Sequence, residues 1–116
     1  MSTFFAFAIA DSMFTSNCII RRREIDVAQV RQLISAGVEP SFNPSHTATI
    51  AAMRARFGID LKIPGTPPRI TLHDGDRLIV MTVHGLPRLE NRHQYSDDEI
   101  ASANFSFAVY TIEKEA

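Results

Sequence analysis

The chain of 116 residues contains one cysteine, Cys18, and no tryptophan. A single thiol cannot close an intramolecular disulfide, and it excludes a zinc site built from several cysteines. Cys18 reads as a small buried hydrophobe in a reducing, intracellular setting. Charge of one sign is lacking as well: 12 lysines and arginines stand against 13 aspartates and glutamates, a net charge of −1. A chain so balanced does not hold long nucleic acid by bulk attraction, although a local basic pocket is compatible with it. Long apolar runs are missing too. The N-terminal "MSTFFAFAIADSMF" is too short to span a bilayer and has no basic leader segment, so the expectation is a cytoplasmic protein without a membrane partner. There is no P-loop, no dinucleotide glycine fingerprint and no Gly-x-Ser-x-Gly elbow. Repeats, low-complexity tracts and linkers are absent, and the length suits one domain over residues 1–116. Asp74, Asp76, Asp97 and Asp98 sit in turns and caps, and His84 and His93 have no companion ligands, so neither metal nor cofactor is expected.

What is present is a sequence of short elements. Thr3 to Ala10, "TFFAFAIA", is an apolar run that predicts a central strand. Cys18 to Ile25, "CIIRRREI", predicts a second strand with a charged end, and the two could pair as a hairpin across a long loop. Asp26 and Gln29 form a capping box ahead of a helix to Ala36, with Val27, Val30, Leu33 and Ile34 on one face and Gly37 after it. A second helix spans Thr47 to Phe57, with Ile50, Met53 and Phe57 as its apolar stripe and Gly58 at its end. Asn43 or Ser45 caps it, which places His46 in its first turn. Arg69 to His73 and Arg77 to Val83 predict two strands joined by an Asp-Gly-Asp hairpin turn. Ser96 and Glu99 form a capping box over a short helix to about Ala103, and "NFSFAVYTIE" is a closing strand. The order β-β-α-α-β-β-α-β predicts an α/β (α+β) domain, a roughly five-stranded mixed sheet flanked by about three helices.

Three places carry residues suited to chemistry. The first turn of a helix presents unpaired N–H groups and a partial positive charge, a natural seat for an anion. A histidine there can either pack at the helix start or give a proton to a phosphate ester as a general acid. Arg69 follows the rigid "PGTPP" and could grip a phosphate through two hydrogen bonds, or simply be a solvated charge at a strand end. The stretch "HGLPRLENRH" gathers His84, Arg88, Arg92 and His93 in one loop, either a polyphosphate pocket or a solvated surface. "RRRE" at Arg21 to Glu24 reads as a solvated strand end.

Three pieces in order, "NPSHTATI", "PRITLHDGDRLIVMTVHGLPR" and "FSFAVYTIE", resemble the viral ring-nuclease anti-CRISPR family over roughly the last two thirds of the chain. The resemblance implies a homodimer with its site across the interface, binding a cyclic oligonucleotide such as cyclic tetra-adenylate and cleaving it without a metal. By that resemblance His46 is the catalytic general acid for the leaving 5′-oxygen and Arg69 a catalytic, ligand-binding arginine. The family's Arg-Leu-Pro-Glu-Gly loop aligns with Gly85, Leu86, Pro87 and Arg88, so that Arg88 would restore from a new place the cation lost at Gly85. Asp11 and Ser12 are the nearest polar groups to a family asparagine at the end of the first strand. Asn43, Ser45, Thr47, His84, Gly85, Leu86 and Arg92 complete the expected ligand-binding set. The alternative is a sponge that sequesters the same signal without cutting it.

Overall fold

The computed structural model describes residues 1–86 and 95–115. Among them five strands form one mixed sheet: β1 (Thr3–Ala6), β2 (Cys18–Ile25), β3 (Glu39–Pro40), β4 (Arg77–His84) and β5 (Asn104–Lys114), in the spatial order β2-β5-β4-β1-β3. Three α-helices accompany it, α1 (Val27–Ala36), α2 (Thr47–Phe57) and α3 (Asp97–Ser102). The expected class is the one formed. β1 runs parallel to both β3 and β4, whereas β5 is antiparallel to β4 and β2 antiparallel to β5. No helix among the described residues is long and apolar enough to cross a membrane.

β4 lies at the centre because its sequence suits burial on both sides. Leu78, Ile79, Val80 and Met81 are all buried in succession, the continuous apolar run of a strand covered on two faces. Alternation then divides the core. Phe5, Ile79, Met81 and Phe107 face Val30 of α1 and Ile50 and Met53 of α2. Ala6, Leu78, Val80 and Ile112 face the other way, where Ile70, Leu72, Met13 and Phe14 cover them. Helix ends are fixed by local chemistry. The Asp26 side chain accepts from the Gln29 N–H at 2.8 Å, and the Gln29 side chain accepts from the Asp26 N–H at 3.0 Å, the expected capping box. Arg31 Nε of α1 donates to the Phe57 carbonyl at 3.0 Å, so a cation of one helix closes the negative end of the next.

Two expected pairings do not form. β2 does not pair with β1; it sits at the edge against β5, with Cys18 opposite Lys114 and Ile25 opposite Phe107. The sheet's two most apolar segments, β1 and β4, instead pair with each other, which leaves the arginine-rich β2 for the rim, where charged strands belong. Arg69 to His73 is not a strand either. Leu72 makes one bridge to Phe14, and Ile70 and Leu72 insert into the second core cluster. Pro67 and Pro68 just upstream have no N–H to offer a ladder. The Asp-Gly-Asp turn is present, with Asp76 N–H donating to the His73 carbonyl at 2.9 Å and Gly75 at a φ of 85°, but it is a turn onto β4 and not a hairpin. β1 also stops at Ala6, short of Ala10, and β3 was not anticipated from "EP".

Asp76 is the buried polar anchor of this corner. Its carboxylate, 6% exposed, accepts from the Ser2 N–H at 2.9 Å and from the His73 N–H at 2.9 Å. It thereby ties the start of β1 to the turn before β4. Asp76→Ala leaves two backbone donors without this acceptor and is expected to lower stability by about 2–3 kcal/mol in a urea titration. A loss below about 0.5 kcal/mol would show that water replaces the carboxylate at no cost.

Candidate functional site

Helix α2 starts where Asn43 turns the chain. Asn43 Oδ1 accepts from the Ser45 N–H at 2.9 Å and from the Ser45 hydroxyl at 2.8 Å, and the His46 N–H donates to the Asn43 carbonyl at 3.2 Å. This turn delays the helix by one position. His46 is the N-cap residue, at φ −79° and ψ 57°, and not the first-turn residue expected, and its side chain makes no capping bond. The first helical bond runs from the Ile50 N–H to the His46 carbonyl at 3.0 Å. The N–H groups of Thr47, Ala48 and Thr49 therefore have no intrahelical acceptor. The imidazole is instead held by aromatic contact. It stacks on Phe7 (centroids 6.1 Å apart, 25° between planes), and Phe7 stacks in turn on the buried Phe42 at 4.9 Å and 20°.

Residues Ser45 to Thr49 form one wall of an open cavity of about 770 Å³. Phe7, Met81 and Val83 supply apolar surface beneath, and Leu86, Tyr95, Ser96, Asp97 and Ile100 bound the other side. The cavity thus opens beyond the carboxyl ends of the parallel strands β1 and β4, where open α/β sheets usually bind ligands. Its apolar floor with a few convergent polar groups is the ordinary make-up of a small-molecule site. The α3 wall is clamped to α2. Arg56 donates to the carbonyls of Ala101, at 3.2 Å, and Ala103, and lies over the rings of Phe57 and Phe105. The Ser96 and Glu99 capping box expected at the start of α3 is present.

The structure brings His46, Ser45, Thr47 and Leu86 together around this cavity, with Asn43 shaping the turn behind them. It places other expected residues elsewhere. Arg69 is exposed in the connector before β4 and does not line this cavity. Asp11 and Ser12 are exposed on a 3-10 turn whose neighbours Met13 and Phe14 cover the opposite face of the sheet. His84 Nε2 is 2.6 Å from the Ser106 hydroxyl. Gly85 has a φ of 73°, with Asn104 Nδ2 3.7 Å from where a Cβ would stand. Space is therefore available at position 85, but the left-handed backbone disfavours any side chain there, an arginine included. Arg88 and Arg92 lie outside the described residues. Sequence reasoning missed Phe7, Thr49, Met81, Val83, Tyr95, Ser96, Asp97 and Ile100. Phe7 was hidden inside an apolar run, and Asp97 looked only like a helix-start residue.

A family model described as STIV B116-like matches residues 7–107, and the chain belongs to that family, which takes its name from a viral protein. Among solved structures, B116 of Sulfolobus turreted icosahedral virus is similar with a TM-score of 0.66 and 18% identity, over 96% of this chain and 99% of that one. At that identity the likeness speaks for the fold alone. No curated protein matches.

Proposed function

We propose that the protein binds a cyclic oligonucleotide second messenger of the cyclic tetra-adenylate type and opens it by attack of a ribose 2′-OH on the adjacent phosphorus. The observation that carries this reading is the placement of His46 at the uncapped start of α2, on the wall of a cavity of about 770 Å³. The free N–H groups of Thr47 to Thr49 would receive phosphate oxygens, and the apolar floor would receive bases. In the reaction the 2′-OH loses its proton to solvent and the 2′-oxygen forms its bond to phosphorus as the bond to the 5′-oxygen breaks. His46 gives its proton to that departing oxygen, and the product carries a 2′,3′-cyclic phosphate and a 5′-hydroxyl. Much of the acceleration would come from holding the 2′-OH in line.

The site would be completed in a homodimer. Among the described residues that line the cavity none is an arginine or lysine, and Asp97 is a carboxylate. The developing negative charge needs donors from elsewhere, and Arg69, exposed on the surface, would be offered by a second copy. The lack of an arginine or lysine among the described lining residues favours a second reading, a sponge that holds the ring without cutting it. The purified protein incubated in EDTA with a panel of cyclic oligonucleotides distinguishes the two. A linear product supports the nuclease. A ring bound tightly and recovered intact after denaturation supports the sponge, and no binding to any ring would sink both.

A further inference from the structure

The end of the sheet remote from His46 carries a cluster of arginines that the reaction above does not use. Arg21 and Arg23 alternate along the edge strand β2, so both stand on the face where Ile25 packs against the α1 side of the core. Thr111 of β5 is paired with Arg21 on one side and with Arg77 of β4 on the other. Arg21, Thr111 and Arg77 therefore form a row across three strands, about 10 Å long at the usual strand spacing. Gln29, Gln32 and Leu33 of α1 face this row, and together these side chains line a groove of about 480 Å³, within the range of small-ligand sites.

The positive charge of this groove is largely unspent. Arg21 is paired with Glu113 at 2.7 Å, and among the described residues Arg23 and Arg77 have no ion pair. Arg77 Nε is buried and has no hydrogen-bond acceptor among the described residues. A buried N–H without an acceptor carries its desolvation cost uncompensated, and such exceptions in folded proteins call for a partner. Solvation of a strand end accounts for Arg21 and Arg23 taken alone. It does not account for the third guanidinium, drawn from the central strand into the same groove.

We propose that this groove is a second anion site, for a small phosphate ester of mononucleotide size. Two spare guanidinium groups match a phosphoryl group carrying close to two negative charges. The amides of Gln29 and Gln32 and the Thr111 hydroxyl offer both donors and acceptors to the remainder of the ligand. The site is separate from the α2 cavity. Arg77 opens β4 and Val83, which lines that cavity, stands near its end, a distance of about 20 Å along the strand.

The test is calorimetric titration of the full chain at low salt with adenosine 5′-diphosphate and with inorganic pyrophosphate. Saturable binding of either is expected, weakened at least about tenfold by Arg77→Gln and by Arg23→Gln and persisting in His46→Ala. Arg23 is exposed and its side chain makes no hydrogen bond among the described residues, so Arg23→Gln keeps the test open even if Arg77→Gln fails to fold. Three results would overturn the proposal: no saturation with either probe, binding indifferent to the arginine variants, or binding lost only in His46→Ala. The last would assign the anion to the α2 cavity and leave the ring-opening reading untouched.

Discussion

Replacing His46 by alanine is expected to slow ring opening by about 10²–10⁴-fold while leaving ring affinity within a few-fold, the signature of a lost general acid. Affinity should persist because the donors proposed to hold phosphate are backbone N–H groups of Thr47 to Thr49, which the substitution leaves in place. The step that suffers is departure of the 5′-oxygen, a poor leaving group without its proton. A sharper form of the experiment follows. If a ring is synthesised with sulfur at the bridging 5′ position, the leaving thiolate needs no proton, and His46→Ala should cleave it at nearly the wild-type rate. A variant equally slow on both rings would mean that His46 positions the substrate and does not protonate it.

Phe42→Ala should have the largest effect on stability. Phe42 is 1% exposed, meets Phe5 edge-on at 6.4 Å and stacks on Phe7 at 4.9 Å. Truncating a phenylalanine so enclosed costs about 3–5 kcal/mol, a large share of the roughly 5–15 kcal/mol that holds a domain folded. A drop of roughly 10–25 °C in melting temperature is expected. The same residue backs the ring on which His46 stacks, so the folded fraction should also lose activity, with kcat falling more than KM rises. Phe42→Leu, which refills part of the volume, should recover more than half of the lost stability. A loss below about 1 kcal/mol for Phe42→Ala would contradict the role of this aromatic column as core.

Local signals in this chain were legible where the physics is local. The capping boxes at Asp26 and Ser96, the stops at Gly37 and Gly58, and the apolar stripe of α2 all depend on neighbours within a turn, and the structure has them. Strand partnership depends on residues far apart in the chain. β2 finds β5 about ninety positions later, and nothing in "CIIRRREI" names that partner. Arg69 to His73 alternates like a strand, yet Ile70 and Leu72 gain more from covering the sheet than from joining it. The candidate site follows the same division. His46 and its neighbours form one contiguous stretch and were visible. Phe7, Tyr95 and Asp97 reach the cavity only through the fold, from a strand end and a short helix whose own sequences speak of packing and capping.

The most direct measurement for the central claim is product mass after reaction in EDTA and heavy-oxygen water. Attack by the ribose 2′-OH opens the ring without taking up solvent, so the first linear product should be isomeric with the ring, with a 2′,3′-cyclic phosphate and no heavy oxygen. A product that has gained one heavy water on its first cleavage would contradict the proposed mechanism, and a ring recovered intact would contradict the reading of this protein as a nuclease.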